Sequence, residues 1–103
     1  MRKIETLMGE AITQALNWKL ANTKVTESDG VSYVYLHGNL IAQVGETWLE
    51  LYDGGYRSAT TKSRLNAILR FCGNGEYIYQ KNHQWILSTK DGEEPFRSGT
   101  LLD

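Results

Sequence analysis

The segment Thr60-Thr61-Lys62-Ser63-Arg64 sets hydroxyls and cations at what reads as the start of a helix. Free backbone N–H groups at a helix N-terminus, flanked by hydroxyls and cations, suit an anion such as phosphate or a partner's carboxylate. Helix starts ordinarily carry acids, and each misplaced cation costs about 0.3–1 kcal/mol. With Thr60 or Thr61 as the N-cap, the next turn holds Lys62 and Arg64 and no acid. A local inconsistency of this kind tends to mark function. At about 100° per residue, Lys62, Asn66 and Arg70 share one flank with Ser63 beside them, and Arg64 falls opposite, near Phe71. The candidate face for an anion or a partner is therefore Thr60, Thr61, Lys62, Ser63, Arg64, Asn66 and Arg70. Its plain alternative is a solvated helix surface whose cations pair with Glu46, Glu50 or Asp53. No glycine-rich loop precedes the lysine, so the pattern is not a Walker motif.

Aromatic residues make a second constellation. Tyr33, Tyr35, Trp48 and Tyr52 fall on alternate positions of apolar runs, where they form contacts for a partner or ordinary strand packing. Catalysis and metal binding find less support. His37 stands at a strand end and His83 in a turn, with no Cys-x-x-Cys or His-x-x-x-His spacing, so no metal and no cofactor is expected. The single cysteine, Cys72, reads as a small buried hydrophobe. The carboxylates are scattered over strand ends and turns, which motivates no acid–base pair.

The elements that must hold these residues follow from periodicity. Residues 1–20 read as an amphipathic helix, with Ile4, Leu7, Met8, Ala11, Ile12, Ala15 and Leu16 on one face and Glu5, Thr6, Glu10, Thr13 and Asn17 on the other. Gly9 in its middle costs about 1 kcal/mol relative to alanine. From 22 to 52 the period becomes two, and Asp29-Gly30, Gly38-Asn39, Gly45-Glu46 and Asp53-Gly54-Gly55 mark turns of a four-stranded antiparallel meander. A second helix over 60–72 presents Leu65, Ile68, Leu69 and Cys72 and stops at Gly73-Asn74-Gly75. A hairpin over 76–89 turns at Asn82-His83, and Trp85 alternates with Leu87 as a core anchor. The acidic tail of 90–103 is expected to be irregular. The fold class predicted is α+β, a single small domain in the order α-ββββ-α-ββ.

Bulk properties narrow the function classes. The chain has 103 residues, 41% hydrophobic and 22% charged, with one proline, the profile of one folded domain. At this size a fold buries roughly 65% of its unfolded surface, enough for one modest core and little cleft. A net charge of −1 excludes a strongly basic nucleic-acid binder. The order of the charges says more: five acids and no base lie between Lys24 and Arg57, then four bases and no acid from Arg57 to Gly75, then an acid-rich tail. No secretory signal and no run of 18 apolar residues is present, so a cytoplasmic location and no membrane contact are expected.

Several stretches carry a resemblance. They are Asn22-Thr23 with Val25, Val34-Tyr35-Leu36-His37-Gly38-Asn39 with Ile41-Ala42, Gly55-Tyr56, Thr60-Thr61-Lys62-Ser63-Arg64-Leu65-Asn66, Tyr79-Gln80 and Trp85. Together they resemble a family of small uncharacterised proteins of bacteriophages and prophages, over residues 22 to 85. The N-terminal helix and the tail lie outside that pattern, and Tyr56 stands where the family often has tryptophan. The resemblance implies a source and no mechanism. The function expected is a non-enzymatic phage accessory protein that binds a host or phage macromolecule, a protein before a nucleic acid, and so inhibits a host defence or regulatory system. The alternative is a nucleic-acid-binding module in which the basic helix tracks phosphate and Tyr33, Tyr35, Trp48 or Trp85 stack on bases. Nothing in the sequence specifies an oligomeric state.

Overall fold

A computed structural model describes all 103 residues. The elements are α1 (Lys3–Thr13), β1 (Trp18–Leu20), β2 (Thr23–Ser28), β3 (Val31–Leu36), β4 (Asn39–Val44), β5 (Leu49–Leu51), α2 (Ala59–Cys72), β6 (Tyr77–Lys81), β7 (Gln84–Thr89), β8 (Gly92–Pro95) and β9 (Thr100–Leu102). The architecture is α+β, with the meander at its centre. Antiparallel pairing builds a six-stranded sheet in the order β1-β2-β3-β4-β5-β9 and a three-stranded sheet β6-β7-β8.

Turn chemistry sets the meander. Asp29 and Gly30 both take positive φ, as do His37 and Gly38, which is what tight two-residue hairpins require. The second turn is thus His37-Gly38, one residue before the expected Gly38-Asn39, and Asn39 opens β4. Alternation then sorts the faces. Val25, Val34, Leu36, Ala42, Val44, Leu49 and Leu51 point inward, where Met8, Ala11 and Ile12 of α1 and Leu65, Ile68 and Leu69 of α2 join them. A register shift between Val34 and Tyr35 turns Ile41 inward as well. Ile78, Trp85, Leu87 and Phe96 bring the smaller sheet into the same core. Trp85, at 2% exposed, is the anchor its spacing suggests. Its ring lies 5.6 Å from that of Phe96, and the Arg57 guanidinium sits 5.4 Å from both.

Two expectations are corrected. The N-terminal helix ends at Thr13 and does not run to residue 20. Ala15 turns to φ 55°, and Trp18–Leu20 pairs with Thr23–Val25 across the Ala21-Asn22 turn. Backbone groups that one more helical turn would satisfy are satisfied by the sheet, and Leu16 is left 50% exposed. The acidic tail is also ordered. Gly92–Pro95 pairs with β7, and Thr100–Leu102 pairs with β5, bridged by Phe96, which is buried under Arg57. These three- and four-residue strands are too short to show an alternation of their own.

Gly9 has a packing reason. A Cβ at this position would lie 2.1 Å from the ring of Phe71, so the glycine lets the two helices close on each other.

Candidate functional site

The candidate face on α2 is divided by the fold. The N-cap is Ser58, whose Oγ accepts from the Thr61 N–H at 3.0 Å, and neither Thr60 nor Thr61 serves in that role. The helix thus starts earlier than expected. Arg64 lies past the first turn, where the helix dipole has faded. Thr61 is buried, its hydroxyl 2.9 Å from that of Ser58.

Arg64 faces inward and is 3% exposed. Its Nη1 donates to Glu5 Oε2 at 2.8 Å, its Nε to Thr23 Oγ1 at 3.0 Å and its Nη2 to Asn22 Oδ1 at 3.3 Å. The Ser63 hydroxyl donates to the same Glu5 oxygen at 2.5 Å. This network joins α1, α2 and the start of β2, and no buried side-chain polar atom in the molecule lacks a partner. The compensation for Arg64 is therefore internal, by Glu5, an acid expected on the polar face of α1 that is in fact buried. Glu46, Glu50 and Asp53 do not pair with α2. Glu50 accepts from the Tyr52 hydroxyl, and Asp53 pairs with Arg57 at 3.2 Å. Burial works upward on the Asp53 carboxyl, but hydrogen bonds from the Gly55 N–H and Arg57 overrule it and hold it below the usual value.

Asn66 is also occupied. Its amide accepts from the Ile78 N–H at 2.7 Å and donates to the Ile78 carbonyl at 2.8 Å. It closes an edge strand whose backbone would otherwise lie open to another chain. Of the seven candidate residues, only Thr60, Lys62 and Arg70 keep polar groups free of protein hydrogen bonds. Lys62 and Arg70 line, with Arg2, a shallow groove of about 480 Å³ between the two helices.

Three of the four residues in the aromatic constellation, Tyr33, Tyr35 and Tyr52, share one face. Tyr33 and Tyr35 alternate on the face of the six-stranded sheet that points away from the core. Cross-strand register sets Thr26, Tyr33, Gln43, Glu50 and Leu101 in one row, and Lys24, Tyr35 and Leu40 in the next. The Lys24 ammonium lies 4.9 Å over the Tyr35 ring. Gln43 Nε2 donates to the Tyr52 oxygen at 3.2 Å, and the Tyr52 hydroxyl donates to Glu50. Burial, then the Glu50 hydrogen bond, push the Tyr52 phenol up to about 12. Trp48 stands apart at the β4–β5 turn, its indole packed on Gly45. His37 and His83 occupy separate hairpin turns with positive φ. Burial pushes the Cys72 thiol up, away from the thiolate a nucleophile needs.

With this geometry in place, the relatives can be named. A family model described as Kyanoviridae Gp96 protein matches residues 1–103. The chain belongs to this family. It is a family of phage proteins, which agrees with the resemblance carried by residues 22 to 85 and extends it to both ends. The helix α1 and the strands β8 and β9 are thus within the Gp96 pattern, contrary to the expectation that they lie outside it. No curated protein and no solved structure matches the chain.

Sequence reasoning missed Glu5, the partner of Arg64, and Phe96, the partner of Trp85. One signal pointed to Glu5: in α1 it shares the Met8, Ala11 and Ile12 spacing that marks the buried arc.

Proposed function

We propose that this protein is a non-enzymatic accessory protein of a phage, and that it works by binding another protein through the open face of the six-stranded sheet. One observation carries the reading. The helices and the smaller sheet all pack on the inner face, which leaves Tyr33, Tyr35, Gln43, Tyr52 and the 54%-exposed Leu101 on the outer one. Aromatic rings backed by a rigid sheet, with few free charges at their centre, are the make-up of a protein interface.

The charges favour protein over nucleic acid. A base-stacking surface needs cations beside its rings to follow phosphate. Here the charge is mixed: Glu50 stands in the same row as Tyr33, while Lys24, with Lys19 opposite it on β1, lies over the Tyr35 ring. Two of the four bases in the basic block, Arg57 and Arg64, are paired with acids. The reading as a binder without catalysis rests on the separate positions of His37, His83 and Cys72 and on the protonated state favoured for that thiol.

The test compares wild type with a Tyr33→Ala, Tyr35→Ala variant as bait in lysate of infected host cells, with and without nuclease. A protein captured by wild type after nuclease treatment and lost with the variant supports the reading. A nuclease-sensitive partner would replace it with nucleic-acid binding. A partner retained equally by both baits would move the interface off this face.

A further inference from the structure

Where the C-terminal ends of both helices meet the β4–β5 turn and β9, the fold leaves a groove of about 610 Å³. Its accessible apolar lining is Trp48, Leu102, Cys72 and Ala15, laid over the buried Ile12, Val44 and Leu49. The Trp48 indole is held in place, since a Cβ on Gly45 would fall 2.3 Å from its Nε1. The rim carries Glu46, Glu76 and Asp103, and no lysine, arginine or histidine lines the groove. The molecule's two ion pairs, Arg57–Asp53 and Arg64–Glu5, leave all three rim carboxylates without a cation. Thr13 and Ala15 reach the groove from the end of α1, and Cys72, Gly73 and Asn74 from the end of α2. The last turn of α1 carries no basic residue against its negative dipole end, whereas that of α2 carries Arg70, which lies outside the groove. An adjoining cleft shares Asn74, Glu76, Leu102 and Asp103 and adds three acids, Asp91, Glu93 and Glu94, against one base, Lys90.

We propose that this groove is a docking site for a cationic, amphipathic peptide segment of a partner protein. Its arginine or lysine side chains meet the rim carboxylates and the Trp48 ring, and its apolar side chains rest on Ala15, Cys72 and Leu102. The occupant follows from charge complementarity over an apolar floor. An acidic segment or a phosphate backbone would face three carboxylates that no cation answers and the negative end of the α1 dipole. The ring of Trp48 offers a guanidinium the stacking partner it favours most. This site goes beyond the sheet-face reading and shares none of its tyrosines.

The probe is a short synthetic peptide of alternating arginine and leucine, with a peptide of alternating glutamate and leucine as control. Binding is read by tryptophan fluorescence and by the alkylation rate of Cys72, the only cysteine, which lines the groove. The arginine peptide is expected to bind and to slow alkylation. A Glu46→Gln, Glu76→Gln, Asp103→Asn variant, checked for an unchanged thermal melt, is expected to bind it about tenfold more weakly, and raised salt to do the same. Tyr33→Ala with Tyr35→Ala is expected to leave this binding unchanged, so the two sites fail separately. Equal binding of the glutamate peptide, full affinity in the triple variant, or unslowed alkylation would overturn the proposal. Self-association that the arginine peptide displaces would overturn it too, making a second copy of the chain the occupant.

Discussion

The two flanks of α2 carry the same kind of residue and put it to opposite uses. On its inward flank, Arg64 is buried, forks onto Glu5, Thr23 and Asn22, and ties three elements together. On the outer flank Lys62 and Arg70 line an open groove with no acid bonded to either. What a cation contributes is set by its surroundings: a buried one must be matched, and an exposed one is answered by water and salt. The difference also separates the structural part of the Thr60–Arg70 segment from the part still free to meet a ligand.

The sharpest way to break the comparison is to remove Arg64. Arg64→Ala leaves the Glu5 carboxylate buried without its partner and is expected to cost about 3–5 kcal/mol, read by urea or thermal unfolding. A variant that replaces both members, Glu5→Leu with Arg64→Met, is expected to recover most of that loss, because an apolar pair needs no matching charge. A double variant as unstable as the single one would mean that Thr23, Asn22 and Ser63 depend on the ion pair for their own places.

Trp85 supplies an apolar benchmark for that figure. It is 2% exposed and stacked with Phe96, and Trp85→Ala is expected to cost about 3–5 kcal/mol through lost burial and the cavity left behind. An unchanged melt would place Trp85 outside the core.

Tyr52 tests the same principle at the half-buried sheet face. Its phenol is pushed up to about 12, first by burial and then by the Glu50 hydrogen bond. The native state therefore holds this proton more tightly than the unfolded chain, whose value is about 10. The stability this supplies is complete below about pH 10 and is lost as pH rises toward 12. The Tyr79 phenol is also raised, by its hydrogen bond to Glu93, so tyrosinate absorbance should show two delayed phases, of which Tyr52→Phe removes the later. Persistence of the phase near pH 12 in the variant would assign it to another tyrosine.

The smallest effect belongs to the outer flank. Lys62→Ala with Arg70→Ala is expected to change stability by no more than about 0.5 kcal/mol. A loss of several kcal/mol would show that these cations are structural after all and that the two flanks do not differ.

Local pattern carried much of the fold. The meander was legible because turn residues such as Asp29-Gly30 act within a few positions and alternation acts within one strand. The aromatic row was legible for the same reason, since Tyr33 and Tyr35 share a face in any strand. The extent of α1 was not. An apolar period that continues to Leu16 says nothing of the strand partner that captures Trp18–Leu20 at the sheet edge. The fate of the basic segment was not legible either, because its deciding acid lies 59 residues away in sequence.

The sequence by itself therefore determined the α+β class, the turns, the inner and outer faces of the meander, and Trp85 as an anchor. Tertiary structure alone decided that Glu5 is buried and that Arg64, Ser63 and Asn66 are structural. It also decided that the tail adds strands to both sheets, and that carboxylates from three distant segments share one groove rim. The physical reason is the range of the forces. Backbone preference and side-chain alternation act between neighbours in the chain, whereas desolvation, ion pairing and sheet-edge pairing depend on groups that only the folded chain brings together.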